Sequence, residues 1–188
     1  MARLLTAALA ALAIATASAF ASDDIPPLYT TGDMTVCFTS GNGSTIGADC
    51  AAVVVAEFDK AQSSIEFEAY SFTEPRIAAA LVRAHGRGVS VNAILDKSDA
   101  RERGTQVDTV CRETGIPCSI DVRPAIAHNK VAIIDGAVVL TGSFNFTIAA
   151  VRRNAENLLV VRDTALAAAY AANFKRRLAV SEPYRATQ

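Results

Sequence analysis

Polar and apolar residues alternate along several short segments of the chain, and longer segments between them repeat apolar residues at helical spacing. In residues 64–72, Ile65, Phe67 and Ala69 alternate with polar neighbours, which predicts a strand with one buried face. Pro75 stands in the first turn of the following helical segment, a position that proline favours. Similar patterns predict strands at residues 34–38, 89–95, 118–122, 130–134, 138–140 and 156–161, and helices at 48–62, 73–86, 98–113 and 163–178.

The predicted helices and strands alternate along most of the chain, which is typical of α/β proteins. The pair Asp135-Gly136 separates two of the short strands and predicts a tight turn between them. A chain of 188 residues with 51% hydrophobic residues suits one domain with a substantial core. We therefore expect a one-domain α/β fold in which helices sandwich a mixed, mostly hydrophobic β-sheet.

The N-terminus has the order of a secretory signal. A basic residue, Arg3, precedes the apolar run 4–15, and the small residues Ala17-Ser18-Ala19 follow it. A membrane anchor is the alternative, but the run is shorter than the ~20 residues that a bilayer requires. We expect a cleaved signal peptide at residues 1–21, a mature domain at 22–188, periplasmic or secreted localisation, and no stable membrane association.

Export would place the four cysteines in an oxidising compartment, where disulfides persist. Cys37 and Cys50 are 13 residues apart, Cys111 and Cys118 are 7 apart, and these two local bridges are the simplest of three pairings. A zinc site is the alternative, but the chain has no C-x-x-C spacing and only two histidines. We expect structural disulfides and no metal site.

The formal net charge of -1 does not suggest a protein that coats nucleic acid. Any binding of a polyanion must therefore depend on a local basic patch. Each candidate patch is more often a solvated helix face. The candidates are Lys97 with Arg101 and Arg103, the pair Arg152-Arg153, and the segment from Lys175 to Arg177.

Six residues in the second half of the chain fit the pattern H-x-K-x4-D-x6-G-S-x-N. His128 and Lys130 are two residues apart on a predicted strand, so their side chains share a face, and Ser143 and Asn145 repeat this arrangement. Asp135 has the opposite parity and lies at the predicted turn, so we expect it to hold the loop. The six residues are His128, Lys130, Asp135, Gly142, Ser143 and Asn145.

This cluster has the chemistry of an oxyanion site. An imidazole can act as a nucleophile or proton carrier near neutral pH. The ammonium, hydroxyl and amide groups of the other members can donate hydrogen bonds to phosphate oxygens. No paired carboxylates accompany the pattern to hold a divalent metal, so two lysines of a dimer could supply the positive charge instead.

The pattern resembles the HKD motif of the phospholipase D superfamily. The segments 69–73, 94–98, 124–126 and 154–159 extend the resemblance to its branch of small, secreted bacterial endonucleases, over about residues 35–184.

The resemblance implies an α/β sandwich that dimerises to join two HKD motifs, and phosphodiester cleavage without metal or other cofactor through a phosphohistidine. His128 would attack phosphorus, while Lys130, Ser143 and Asn145 would hold the phosphate oxygens. Glu156 would accept a hydrogen bond from the other nitrogen of His128 and so fix its tautomer.

Such a reaction also needs a group that protonates the leaving oxygen, and one motif supplies only one histidine. The other histidine, His85, lies at a predicted helix end, where a solvated imidazole is the ordinary explanation. A two-fold dimer would supply a second copy of His128, so we expect a homodimer with a shared site.

Three functions fit these residues. The first is a low-specificity endonuclease acting on DNA, with RNA as an alternative substrate, so the expected partner is a nucleic acid substrate. The second is a phospholipase D-type hydrolase or head-group transferase acting on phospholipids. The third is a phosphate-binding module that has lost turnover.

Overall fold

The structure is a computed structural model that describes residues 28–41 and 47–185. The predicted signal peptide at residues 1–21 lies outside the described residues. The strands are β1 Leu28–Thr31, β2 Met34–Ser40, β3 Ser64–Ala69, β4 Ser90–Asp96, β5 Cys118–Asp121, β6 Lys130–Ile134, β7 Val138–Gly142, β8 Ala155–Arg162 and β9 Glu182–Pro183. The α-helices are α1 Cys50–Lys60, α2 Pro75–Gly86, α3 Ile148–Arg152 and α4 Thr164–Leu178.

The strands of the described residues form one sheet in the order β1-β2-β8-β7-β6-β3-β4-β5-β9. The pairs β3·β4 and β4·β5 are parallel, as expected for strands joined by crossovers, and the other pairs are antiparallel. The sheet is therefore mixed, as the sequence predicted.

Helices cover both faces of the sheet. Side chains of α1 and α2, including Phe58 and Leu81, pack with the sheet residue Phe67 in the larger apolar core. Ala167 and Phe174 of α4 pack on the opposite face with a smaller cluster from the central strands. The expected sandwich of helices around a hydrophobic sheet is confirmed.

The prediction of one helix over residues 98–113 is wrong. The segment forms a 3-10 turn, Asp99–Arg101, and a single π-helical turn, Asp108–Arg112. Gly104 lies between them at φ +79°, outside the right-handed helical region. Glu102, directly after the 3-10 turn, is already extended at φ −71° and ψ 138°, which ends the turn there. The short elements β1, α3 and β9 were not predicted.

Both predicted local disulfides are present. Cys37–Cys50 joins β2 to the first residue of α1, and Cys111–Cys118 joins the π-helical turn to β5. Disulfides are typical of extracytoplasmic proteins, so the two bridges are consistent with the expected export. Within the described part of the chain, no helix has the length and apolar character to cross a membrane.

The predicted turn between β6 and β7 is confirmed, with Asp135 at φ +53° and Gly136 at φ +60°. The Asp135 carboxylate accepts hydrogen bonds from the backbone N–H groups of Gln62, Ser63 and Ser64 at 2.7–3.3 Å. It also accepts one from the Ser63 hydroxyl at 2.8 Å. Burial alone would raise the pKa of Asp135, but these donors hold it below its usual value. The carboxylate thus ties the turn to the chain that enters β3.

Candidate active site

Strand pairing brings the residues of the motif to one edge of the sheet. Lys130 at the start of β6 is opposite Ala69 at the end of β3. On the other side of β6, Val131 is opposite Thr141, so β7 ends beside the start of β6. Gly142 then pairs with Leu158 near the start of β8. We call this edge, with His128, Lys130, Ser143, Asn145 and Glu156, the site edge.

Tyr70 connects the two basic members of the motif. The Tyr70 ring centroid lies 4.5 Å from that of the exposed His128 and 5.0 Å from Lys130 Nζ. Lys130 is only 7% exposed, and its ammonium also donates to the His128 carbonyl at 2.8 Å. The imidazole and the ammonium therefore both pack against the Tyr70 ring, with the imidazole exposed to solvent.

The charge of Lys130 is only partly compensated. Burial lowers the pKa of Lys130 below its usual value, and the negative charge of Glu156 opposes that shift. A partly desolvated cation interacts more strongly with an anion than a fully hydrated one does, because the local dielectric constant is lower. Lys130 is thus well placed to bind a phosphate oxygen.

Gly142 lets β7 and β8 approach closely just before Ser143. It has φ +153°, and a Cβ atom on it would lie 2.3 Å from the carbonyl oxygen of Asn157. The Ser143 hydroxyl accepts from the Asn157 backbone N–H at 3.0 Å and donates to Glu156 at 2.6 Å. The glycine of the motif therefore has a steric role in positioning Ser143.

The Asn145 side chain has unused hydrogen-bonding capacity. Its Oδ1 atom is buried and has no hydrogen-bond partner among the described residues. Buried polar atoms usually have a partner, and exceptions are common at functional sites. Oδ1 is an acceptor, so the part of this amide that can bind a phosphate oxygen is the Nδ2 group, which donates.

The expected hydrogen bond from His128 to Glu156 is absent within the described chain. The two oxygens of Glu156 instead accept from Ser143 Oγ at 2.6 Å and Asn154 Nδ2 at 2.9 Å. These neighbours on β7 and β8 use one acceptor position on each oxygen. The hydrogen bond between Glu156 and a histidine therefore stays a prediction. Electrostatically, Glu156 acts on Lys130.

Asp96 holds the chain that precedes His128. It is fully buried and accepts from the backbone N–H of Ala127 at 2.6 Å, while its other oxygen accepts from Ser98. The sequence offered no signal for this role beyond the resemblance of residues 94–98.

Asp99 holds the chain that follows Tyr70, through a hydrogen bond from the backbone N–H of Phe72 at 2.9 Å. Burial raises its pKa to about 8, and the nearby carboxylates of Glu102 and Asp96 add to that rise. Its Oδ2 atom has no partner among the described residues. Sequence reasoning missed this residue because an acid in a predicted helix is ordinarily solvent-exposed.

Two cavities adjoin the site edge. The larger, of about 690 Å³, contains Tyr70 and Asn145 but not His128 or Lys130. It extends between residues 102–104 and the end of α3, and we call it the arginine cleft because Arg103 and Arg153 line it. A smaller hollow of about 160 Å³ includes His128 and Glu68 on the α4 side. Tyr70 is the link between the cleft and the two basic residues of the motif.

His85 is not part of this edge. It lies in the last turn of α2, directly before β4 begins, whereas the site edge adjoins the residues that follow β4. Among the described residues, no group of three or more His, Cys, Asp or Glu side chains is arranged to hold a metal ion.

Similarity to known proteins covers the site and most of the fold. A family model described as cardiolipin synthase, PLD-like domain, matches residues 54–178. A phospholipase D of Rickettsia conorii is 40% identical over 146 residues, which are 78% of this chain and 70% of that protein. A mitochondrial cardiolipin hydrolase of Xenopus tropicalis is 37% identical over 117 residues, covering 62% of this chain and 55% of that protein.

A solved structure also matches the fold. The phospholipase D family member Nuc from Salmonella typhimurium superimposes with a TM-score of 0.71 at 35% sequence identity. The match covers 81% of this chain and 99% of the Nuc chain.

Proposed function

Because the chain belongs to the phospholipase D superfamily and is therefore a phosphodiesterase, we propose that it is a metal-independent endonuclease of low sequence specificity. One observation carries the proposal: the imidazole of His128 and the buried ammonium of Lys130 pack against one tyrosine ring at the edge where Ser143 and Asn145 lie. The substrate is DNA or RNA.

The proposed reaction has two displacements at phosphorus. A nitrogen of His128 forms a bond to phosphorus while the bond to the leaving oxygen breaks, and a second imidazole donates a proton to that oxygen. Water then attacks the phosphohistidine, gives a proton to the second imidazole and releases His128. Lys130 and Asn145 hold the phosphate oxygens during both steps. Ser143 joins them when its one hydroxyl proton, which points to Glu156 in the structure, turns to the phosphate.

The second imidazole is proposed to come from another copy of the chain. One copy places one histidine at the site edge, since His85 is elsewhere, and a two-fold axis at this edge would bring in the partner's His128. A carboxylate has about four acceptor positions, so Glu156 retains capacity beyond Ser143 and Asn154. We assign the Glu156–histidine hydrogen bond to the contact between the two copies.

Within this phosphodiester chemistry, the choice of nucleic acid as the substrate is supported by the likeness to Nuc along 99% of that chain. The runner-up is hydrolysis of phospholipids or transfer of their head groups, favoured by relatives named phospholipase D and mitochondrial cardiolipin hydrolase. Both substrate classes contain phosphodiesters, so substrate assays have to decide between them.

The direct test is to incubate the purified protein, in excess EDTA, with plasmid DNA, RNA and vesicles of phosphatidylcholine or cardiolipin. We expect cleavage of nucleic acid that persists in EDTA and disappears in His128→Ala. His85→Ala is the matched control and should retain activity. Cleavage of lipid alone would favour the runner-up, and an unchanged rate in His128→Ala would contradict the mechanism.

Sedimentation analysis at the assay concentration tests the shared site. We expect a dimer whose dissociation on dilution is accompanied by loss of specific activity. A monomer that remains fully active would contradict the two-copy proposal.

A further inference from the structure

The arginines of the described chain differ in whether their charge is neutralised. Arg83 forms a bidentate pair with Asp59, and Arg177 pairs with the buried Asp121. Arg103 and Arg153, by contrast, are exposed, and their guanidinium groups form no ion pair or hydrogen bond with the residues that the structure describes. Their donors are therefore available for a ligand.

These two arginines come together in the arginine cleft although they are 50 positions apart in the sequence. Glu102 supplies a carboxylate in the cleft, and the Ser71 hydroxyl donates to it. Two arginines and one glutamate thus line the cleft, so the charged residues around it carry a net positive charge. The same cleft contains Tyr70 and Asn145, so it is continuous with the site edge.

A guanidinium group presents a planar fork of donors that matches the oxygens of a phosphate. A substrate with only one phosphate, bound at His128 and Lys130, would leave the guanidinium donors of the arginine cleft unused. A polynucleotide carries a phosphate at every nucleotide. A strand bound at the site edge therefore also places phosphates next to that edge, where the arginine cleft lies. The acyl chains of a phospholipid would instead have to displace water from charged groups, which is unfavourable.

On the basis of the proposed function, we propose that the arginine cleft is a binding subsite for the phosphate next to the scissile one in a single polynucleotide strand. Arg103 and Arg153 bind that phosphate from two sides. The subsite makes the enzyme prefer nucleic acid over esters that contain one phosphate.

The test compares a short single-stranded oligonucleotide with bis(p-nitrophenyl) phosphate, which has one phosphodiester. For each protein, kcat/KM for the oligonucleotide is divided by kcat/KM for the small ester. In the double variant Arg103→Gln/Arg153→Gln, we expect this ratio to fall about 10- to 100-fold, mainly because KM for the oligonucleotide rises. The slope of log KM against log salt concentration should decrease by about 0.7 for each arginine removed.

Arg152→Gln is the matched control, since Arg152 is the neighbouring residue on α3, is also exposed, and lines a different hollow. It should leave the ratio unchanged. An equal fall in Arg152→Gln would overturn the proposal in favour of a general charge effect. An unchanged ratio in the double variant would also overturn it, as would equal losses on both substrates.

Fluorescence anisotropy of a labelled oligonucleotide with His128→Ala separates this proposal from the proposed function. If the wild-type protein cleaves the small ester but not nucleic acid, the nuclease function fails. The subsite still stands if binding weakens about 10-fold or more when both arginines are replaced. Absence of oligonucleotide binding overturns the subsite as well.

Discussion

The two ends of strand β6 carry parts of the same sequence motif, but they differ in how far the hydrogen bonds of their polar side chains are satisfied. At one end, Asp135 accepts hydrogen bonds from three backbone N–H groups and one hydroxyl. At the other, the His128 ring is exposed and the Lys130 ammonium is buried with a lowered pKa. Polar groups with their hydrogen bonds satisfied stabilise the fold, whereas groups with unused capacity are available for substrate.

The difference divides the motif by role. Asp135 directly follows Ile134, whose pair with Ile65 is the last one between β6 and β3. Lys130, at the other end of the strand, forms the first pair. We therefore expect substitutions at the site edge to change activity with little effect on stability, and substitutions at the turn to do the reverse.

The largest effect is expected for Lys130→Met. Methionine keeps much of the packing of the side chain but removes its charge, so kcat/KM should fall at least about 1,000-fold. The free energy of unfolding should change by less than about 1 kcal/mol, since a buried charge contributes little net stability. Initial rates and urea unfolding of the same preparation measure the two quantities.

Asp135→Ala should give the opposite result. It removes an acceptor of four hydrogen bonds and places alanine at positive φ, which should cost about 2–4 kcal/mol of folding free energy. The kcat of the folded fraction should stay within about threefold of wild type. Asp135→Asn tolerates the backbone conformation and should lose less stability. A large loss of kcat in folded Asp135→Asn would contradict the expected division of roles between the two ends of β6.

Asp99, which lies beside the site edge, should make the free energy of unfolding depend on pH. A carboxyl with a raised pKa binds its proton more tightly in the folded state, so its stabilising contribution is complete below about pH 4 and is lost as the pH rises toward 8. The slope should be at most about 1.4 kcal/mol per pH unit. Asp99→Asn, measured by urea unfolding at several pH values, should remove most of this slope. An identical slope in the variant would contradict the assignment.

The smallest effect is expected for Ser63→Ala. This change deletes one of the donors to Asp135 at an exposed position and should cost about 0.5–1 kcal/mol, with no change in kcat. Thermal unfolding measures the shift. A larger loss than that of Asp135→Ala would show that the stability of the turn does not depend on the carboxylate.

Local patterns in the sequence were sufficient to predict much of the fold. Alternation marked strands such as β3, and the turn at Asp135-Gly136 followed from two residues that tolerate positive φ. The wrong prediction at residues 98–113 has a local cause as well. The extended conformation of Glu102 and the positive φ of Gly104 interrupt a pattern that is otherwise helical.

The sequence by itself determined the strands β2 to β8, the two local disulfides and the family, because these depend on residues that are close in the chain or on a fixed spacing. Only the tertiary structure showed that Glu156 bonds to Ser143 and that Arg103 and Arg153 line one cleft. Such contacts depend on strand order and register, which are set by packing of the whole sheet. The same packing buries Asp96 and Asp99 at the loops beside the site edge.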